Sequence, residues 1–456
     1  MDTKFDIVAA VDIGTTKIVA AVGRKYSDGR VELTGIEKSS STGVKRGVVL
    51  NIEETVTGIK EAVKGLELRY DLRIADIYVG MSGYAMRSLT NSCYRFIESN
   101  NEISSFDLEQ LLRESRRLSV EPGEKIIHVI PQDYSVDNQM KEKNPVGMAG
   151  NRLEGDFHVV IGREASFKNI EKCVTRAGLN LLGVIIEPLA SSHAVISEEE
   201  KEAGVVVVDI GGGTTDVTLF YDGIIRHSSV IPFGGNVITN DIKEGCSVLF
   251  KQAEALKVKF GSAVAGMARE DMVVAIPGMP GWEPKEISLK NLASVIQARV
   301  EEIIEYVAYN IESSGYYEKL GAGIVITGGG ALLKNLSHLF KLKTGLDVRM
   351  GRPDRFLGKD LLVDDDLAFY STAAGLLVSG DLYIRKRPVA QKLFEEPELS
   401  EKDKERIISD KKSKKRQCQS TFRKKFKKEA THLTGSLFGK MSDGLSGFFD
   451  DKDVKM

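Results

Sequence analysis

Two short segments of the sequence carry residue types that bind phosphate. Residues 11–17 read VDIGTTK and residues 208–216 read VDIGGGTTD, and each continues a run of apolar, mostly small or β-branched residues. Glycine lets the backbone approach phosphate oxygens closely and aim successive N–H groups at them, and threonine hydroxyls add further donors. One such turn alone is most simply an ordinary strand-to-loop corner. Its repetition predicts two phosphate-binding turns, each at the end of a buried strand.

Each turn also contains an aspartate, Asp12 in the first and Asp209 in the second. A carboxylate repels phosphate, so Mg²⁺ or its bound waters would have to lie between them. A third glycine turn, TGGGALLKN at 327–335, follows the apolar run AGIVI. None of these turns fits the GxxxxGK[ST] or GxGxxG pattern, which excludes the P-loop and Rossmann interpretations. The three turns together predict one nucleotide held between two similar halves.

The composition fits a soluble protein of several domains. The chain has 456 residues, 42% of them hydrophobic, which suggests about two to four domains. The cysteines are scattered without metal-binding spacing, which is typical of the reducing cytoplasm. The net charge of −2 conceals an asymmetry, since residues 411–428 contain ten Lys or Arg and no acidic residue. The rest of the chain is therefore about −12, which indicates a basic surface-binding arm beside an acidic body.

The C-terminal region predicts a tail that binds a surface. Residues 386–428 are polar and charged and are expected to form a flexible basic linker. Residues 429–450 follow the pattern of an amphipathic helix that inserts its apolar face into an anionic membrane surface. A helix docked on the core or on a partner protein is the alternative, and nucleic acid is disfavoured because few aromatic residues interrupt the basic block. The residues predicted to contact the membrane are Arg423, Lys424, Lys425, Lys427, Lys428, Leu433, Leu437, Phe438, Met441, Leu445, Phe448 and Phe449.

These motifs resemble those of the actin, sugar-kinase and chaperone ATPase superfamily. Within it, the chain resembles the FtsA family of bacterial cell-division proteins over about residues 5–384 and in its tail. DIGTTK and DIGGGTTD are similar to the two phosphate loops of the superfamily, and TGGGALL is similar to its adenosine loop. GGNVITNDI, AEALKVKFG and IEPLASSHAV are similar to further family segments. All of these segments occur in the expected order.

The resemblance implies ATP and Mg²⁺ as cofactors and assigns roles to individual residues. Asp12 and Asp209 would organise Mg²⁺ through water, Asp209 and Glu187 would serve catalysis, and Glu187 would orient the attacking water. Lys17 would balance phosphate charge, although a solvated strand residue is the simpler alternative, and Asp216 could assist or only brace its turn. Hydrolysis would be weak at most. The remaining nucleotide-binding residues would be Gly14, Thr15, Thr16, Gly211, Gly212, Gly213, Thr214, Thr215, Gly234, Gly235, Glu254, Lys257, Gly328, Gly329 and Gly330.

The implied fold is α/β, with duplicated actin-like (ribonuclease-H-like) domains and two smaller inserted subdomains. We expect a long helix over Leu289–Ser313 and a charged surface link at 197–203. The expected divisions are a first actin-like subdomain (1–83 and 159–203), an inserted small subdomain (84–158), a second actin-like subdomain (204–235 and 311–385) and a second small subdomain (236–310).

The resemblance also implies a function. The chain would polymerise and tether filaments of the tubulin-like FtsZ, through the FtsZ C-terminal peptide, to the inner face of the cytoplasmic membrane at the division septum. It would be a peripheral membrane protein that recruits later division proteins and has no nucleic-acid partner. The alternatives are an actin-like pilus-assembly ATPase, which generally lacks such a tail, and a metabolite kinase, which would need a sugar pocket with a further catalytic aspartate. A peptide-releasing chaperone would need a β-rich domain after the ATPase.

Overall fold

The computed structural model describes residues 5–97, 102–139, 141–277, 283–358, 361 and 366–380. The predicted linker and tail lie outside the described residues, together with all twelve predicted membrane contacts.

The strands and helices follow one another in mixed α/β order. The strands are β1 (Phe5–Ile13), β2 (Lys17–Tyr26), β3 (Val31–Ser40), β4 (Val44–Lys45), β5 (Val48–Val49), β6 (Asp76–Met81), β7 (Arg87–Phe96), β8 (Glu124–Val136), β9 (Arg152–Arg163), β10 (Asn180–Ile186), β11 (Val205–Ile210), β12 (Thr215–Tyr221), β13 (Ile224–Ile231), β14 (Val273–Ile276), β15 (Lys285–Ser288), β16 (Ile324–Thr327) and β17 (Val348–Met350). The helices are α1 (Ile52–Tyr70), α2 (Ser105–Ser115), α3 (Glu164–Ala177), α4 (Glu187–Val195), α5 (Glu198–Ala203), α6 (Gly235–Gly245), α7 (Phe250–Phe260), α8 (Leu289–Ser313), α9 (Leu336–Thr344) and α10 (Ser371–Gly380).

Two five-stranded sheets share one topology. The first has the order β10-β6-β1-β2-β3 and the second has the order β17-β16-β11-β12-β13. In each sheet the first three strands in sequence pair antiparallel, and the next two pair parallel on the other side of the first strand. The predicted duplicated α/β fold is therefore confirmed.

The central strands are apolar because helices cover both faces of each sheet. Every residue of β11 is buried, as in a strand covered on both sides. Helices α1 and α3 pack on the outer face of the first sheet, and α4 and α10 lie between the two sheets in a shared core. Helices α6, α8 and α9 cover the outer face of the second sheet. The ends of β1 and β11 are thereby held next to each other, where the two halves meet.

A smaller three-stranded sheet is inserted in the first half between β6 and α3. Its strands run in the order β7-β9-β8, all antiparallel, and pack on α2 around Leu111, Leu153 and Phe157. The insertion also contacts the edge strand of the second sheet: Ser88 Oγ donates to the Ser228 carbonyl at 2.7 Å. In the second half, the chain forms α6, α7 and the antiparallel β14–β15 pair after β13 and before α8.

Candidate nucleotide-binding cleft

The two phosphate-loop motifs form hairpins of equal length. In the first hairpin, Asp12 pairs with Val19 and Ile13 pairs with Ile18 across β1 and β2. In the second, Asp209 pairs with Asp216 and Ile210 pairs with Thr215 across β11 and β12. Four residues therefore form each turn, 14–17 in one hairpin and 211–214 in the other. Lys17 of the first turn corresponds in position to Thr214 of the second.

The tips of these hairpins touch across the cleft. A Cβ placed on Gly212 would lie 2.4 Å from Thr16 Cγ2, and one on Gly213 would lie 2.4 Å from Thr15 Oγ1. The Thr15 hydroxyl in turn accepts a hydrogen bond of 3.0 Å from the Gly47 N–H. The glycines are needed here because the threonines of the other half occupy the space that side chains would fill.

Four carboxyl groups meet around a small cavity of about 70 Å³ between the hairpins, namely those of Asp12, Glu187, Asp209 and Asp216. The three aspartates are buried and Glu187 is half-buried at the start of α4. Burial raises the pKa of Asp12 to about 6, an effect that Lys17 opposes and Asp209 reinforces. Burial, followed by the charges of the neighbouring carboxylates, raises the pKa of Glu187 well above its usual range. Burial and mutual repulsion therefore oppose the simultaneous ionisation of these carboxyl groups.

Hydroxyl groups from distant parts of the chain orient two of these carboxylates. Thr372 Oγ1 donates to Asp209 Oδ2 at 3.0 Å, and Ser82 Oγ donates to Asp216 Oδ1 at 3.0 Å. Burial raises the pKa of Asp209, and the hydrogen bond from Thr372 opposes that rise. Burial also raises the pKa of Asp216, with the Asp209 charge adding to the rise and the Ser82 bond opposing it. Ser82 belongs to the first half and Asp216 to the second, so their bond joins the halves at the cleft.

The carboxyl oxygens are hard donors of the kind that Mg²⁺ prefers, and their mutual repulsion is what a cation would relieve. Within the described ranges, no three His, Cys, Asp or Glu side chains are placed to hold a metal ion by themselves.

A larger cavity of about 640 Å³ adjoins the carboxylate cavity. Helix α7 presents Glu254 and Lys257 to it, one turn apart, and their side chains pair at 2.8 Å. Lys257 Nζ also donates to the Gly235 carbonyl at 2.9 Å and to Thr239 Oγ1 at 2.8 Å. Burial lowers the pKa of Lys257, and the Glu254 carboxylate opposes that shift. The size of the cavity is that of a small-molecule site.

The third glycine turn packs against the second hairpin. Gly328 has φ of 85°, a left-handed conformation that glycine adopts without strain, and a Cβ there would lie 2.2 Å from Asp209 Oδ1. The Gly328 N–H donates to the Ala368 carbonyl at 3.1 Å. The turn therefore brings residues 366–372 next to Asp209.

The structure brings most of the predicted nucleotide contacts to these two cavities, but not Thr215 and Gly234. The Thr215 hydroxyl donates to the Phe233 carbonyl at 2.8 Å, because Thr215 points to the opposite side of β12 from Asp216. Gly234 precedes α6, and a Cβ there would lie 2.5 Å from the Gly211 carbonyl oxygen. This glycine therefore packs against the backbone of the 211–214 turn. The cavities are also lined by residues that were not among the predicted contacts, although some of them belong to the segments GGNVITNDI, AEALKVKFG and TGGGALLKN: Lys38, Ser39, Ser40, Gly47, Asn236, Ile238, Val258, Gly261, Leu332, Leu333, Lys334, Asp366, Phe369 and Thr372.

Comparison with known proteins places this architecture in a family. Residues 206–375 match the family model "Cell division protein FtsA", residues 83–161 match "SHS2 domain inserted in FTSA", and residues 163–230 match "Hsp70 protein". Among solved structures, the "PilM-PilN type IV pilus biogenesis complex" has a TM-score of 0.58 at 16% identity, and the match covers 82% of this chain and 98% of that one. At that identity the likeness shows the actin-like fold alone.

None of the helices in the described part of the chain is both long enough and apolar enough to cross a bilayer.

Sequence relatives cover most of the chain. The "Cell division protein FtsA" of Pseudomonas aeruginosa is 37% identical over 374 residues, which are 82% of this chain and 89% of the relative. The protein of the same name from Neisseria meningitidis is 34% identical over 83% of this chain and 91% of its own length. That of Escherichia coli K12 is 34% identical over 84% of this chain and 94% of its own length. With relatives of this identity and coverage, the chain belongs to the FtsA family of cell-division proteins.

Proposed function

We propose that this chain binds Mg-ATP between its two halves. The observation that carries the proposal is the meeting of the two hairpin tips, one from each half, beside a cluster of buried carboxylates and a cavity of about 640 Å³. The backbone amides of 14–16 and 211–214 would hold the phosphates, and Lys17 would balance their charge. Glu254 and Lys257 would approach the ribose and adenine, with Gly328–Gly330 against the base.

The carboxylates would serve the metal and the water. Asp12 and Asp209 would hold Mg²⁺ mainly through its water shell, and Glu187 would orient water toward the terminal phosphate. When bound, Mg²⁺ would supply charge neutralisation of the phosphates. Burial and the charges of the neighbouring aspartates raise the pKa of Glu187 well above its usual range, so its ionised form is disfavoured. Efficient hydrolysis would require exact placement of the attacking water. We therefore expect turnover to be weak at most, and the main output of nucleotide binding would be closure of the halves and self-assembly into filaments.

The cellular role we propose is that of a division adaptor. Membership of the FtsA family supports a link to the division machinery. The chain would hold FtsZ by its C-terminal peptide, through a surface within 236–310, and would recruit later division proteins. The basic block and the apolar stripe of 429–450 would attach it as a peripheral protein to anionic lipid on the inner face of the cytoplasmic membrane.

Co-sedimentation with vesicles tests the adaptor role. The full chain with Mg-ATP and FtsZ would be mixed with vesicles containing phosphatidylglycerol, and with neutral vesicles as a second arm. Leu437→Asp with Phe448→Asp places two charges on the apolar stripe, whereas Ser436→Asp with Ser446→Asp places the same charges on the polar face. We expect the unmodified chain and the serine variant to carry FtsZ down with anionic vesicles, and the Leu437/Phe448 variant to leave it in solution.

Two other results would separate the division role from the membrane role. Vesicle binding without FtsZ would remove the division role and retain the membrane role. Failure of the unmodified chain to bind anionic vesicles would remove the membrane role and favour a tail that docks on protein.

A further inference from the structure

Phe369 lies where the two cavities of the cleft meet. It belongs to the short 3-10 turn Leu367–Tyr370 and lines both the 640 Å³ cavity and the carboxylate cavity. Its ring is half-buried and packs directly onto the third glycine turn, since a Cβ on Gly329 would lie 2.8 Å from Phe369 Cε2. A nucleotide with its base in the larger cavity and its phosphates at the hairpins would have to pass this ring.

The ammonium group of Lys17 makes two contacts with Phe369. Lys17 Nζ donates to the Phe369 backbone carbonyl and lies 3.4 Å from the centroid of the Phe369 ring. This distance is well within the range of a cation–π contact. Lys38 Nζ lies 5.8 Å from the same ring centroid, so a second cation faces the ring from β3.

The turn that carries Phe369 is itself fixed. The Asp366 carboxylate accepts a hydrogen bond from the Ala368 N–H at 3.0 Å and pairs with Arg352 at 2.7 Å. Ala368 is bonded to Gly328, as described above, and Thr372 at the start of α10 is bonded to Asp209. A turn that is hydrogen-bonded to the second half therefore contacts the Lys17 ammonium group of the first half.

We propose that Phe369 is a positioning residue for nucleotide phosphate, which acts by holding the Lys17 ammonium at the passage between the two cavities. The inference rests on the proposed ATP binding and adds a residue to it. A lysine side chain has many rotamers, and restricting them before the ligand arrives lowers the entropic cost of binding. The backbone carbonyl and the ring of Phe369 supply this restriction at the passage, beside the Asp12 and Asp209 carboxylates whose pKa values Lys17 lowers.

This role predicts an effect that depends on phosphate. Because the ring acts through Lys17 and Lys17 acts on phosphate, loss of the ring weakens ATP and ADP but leaves adenosine unaffected. A ring that only shaped the cavity would affect all three ligands alike.

The test is a titration calorimetry series on the full-length protein with Mg-ATP, Mg-ADP and adenosine. Phe369→Leu removes the π face and keeps an apolar side chain, and Phe369→Tyr keeps the face. The matched control is Phe167→Leu, because Lys125 Nζ lies 3.9 Å from the half-buried Phe167 ring outside the cleft. We expect Phe369→Leu to weaken ATP about 3- to 10-fold, and Phe369→Tyr and Phe167→Leu to stay within about 2-fold.

A double-mutant cycle with Lys17→Met separates positioning from packing. On the Lys17→Met background, Phe369→Leu is expected to cause no further loss of ATP affinity. An undiminished loss on that background, or an equal loss for adenosine, would overturn the inference while ATP binding stands. If the unmodified protein keeps its melting transition but binds no ATP, the proposed function itself fails. Melting temperatures of all variants show whether each one is folded.

Discussion

The two halves of the molecule repeat one sheet topology and differ in the side chains at their corresponding turns. Across the two hairpins, Lys17 corresponds to Thr214 and Val19 corresponds to Asp216. At these corresponding positions the first half thus contributes a cation, and the second half contributes an extra carboxylate. The duplicated backbone provides the geometry, and the differences between the copies provide the chemistry.

The tips of the hairpins show how such differences become complementary. Thr15 and Thr16 of the first turn stand where Gly212 and Gly213 of the second leave space. Two identical threonine turns would collide there, and two identical glycine turns would leave a gap. A site between repeated halves therefore favours unlike residues at corresponding positions.

The insertions differ as well, because the small sheet of the first half also packs on the second half. The side chains of Asp133 and Arg226 form an ion pair there, each about one-tenth exposed. Gln132 Nε2 donates to the Ile225 carbonyl at 2.6 Å, and Lys143 pairs with Asp222 at 2.6 Å. Strand β13, which would otherwise be an open edge of the second sheet, is covered by these contacts.

The largest expected effect comes from breaking this contact at its buried ion pair. Asp133→Ala leaves the Arg226 charge buried without its carboxylate, and we expect the free energy of unfolding to fall by about 3 kcal/mol. Lys143→Ala removes an exposed pair from the same contact and should cost less than about 1 kcal/mol. Urea denaturation without nucleotide measures both. Equal losses for the two variants would show that Asp133 and Arg226 do not act as a buried pair.

The same contact should make the stability of the protein depend on pH. His158 on β9 is buried, with Nε2 at 2.8 Å from Ser228 Oγ, and burial lowers its pKa to about 4, with a smaller contribution from His227. The folded protein therefore binds fewer protons than the unfolded chain between the ordinary histidine pKa and about 4. This contribution to stability is complete above pH 6.5 and is lost as the pH falls toward 4, by about 3 kcal/mol in total.

The measurement compares the free energy of unfolding at pH 7 and pH 5 for the unmodified protein and His158→Gln. We expect a smaller drop for the variant, because it no longer carries the buried imidazole. His338→Gln, an exposed histidine on α9, serves as the control and should keep the drop of the unmodified protein. Identical drops for all three proteins would contradict the assignment to His158.

Much of this architecture could be predicted from local sequence. The strand, glycine turn and strand of each hairpin lie within one short continuous segment, 5–26 in the first half and 205–221 in the second. Helix α8 has the predicted limits Leu289–Ser313. Residues 197–203 were expected to be only a charged link, yet they contain α5, where Ser197 and Glu200 form a capping box. The alternation of side chains along β12 could have separated Thr215 from Asp216 at the outset.

Other parts of the cleft depend on contacts that no local pattern reveals. Thr372 bonds to Asp209 across 163 positions and Ser82 bonds to Asp216 across 134 positions. Phe369 reaches Lys17 across 352 positions. Such pairs follow from the packing of α10 between the sheets and from the meeting of the halves, so they become visible only in the folded chain.

The smallest expected effect tests the complementarity of the hairpin tips. Gly213→Ala places a methyl group against Thr15 Oγ1, which the Gly47 N–H holds in place, and 3.0 Å from the Arg46 Cα. We expect the free energy of unfolding to fall by about 1–2 kcal/mol, as in other overpacked sites. Adding Thr15→Ala removes the nearest clashing atoms and should restore part of the loss, although the Arg46 backbone stays in place. Gly266→Ala, where a Cβ meets no atom within 4 Å, is the control and should change little. Strictly additive losses from Gly213→Ala and Thr15→Ala would mean that the two tips do not press on each other, and the cleft would then be more open than the contact between Gly213 and Thr15 implies.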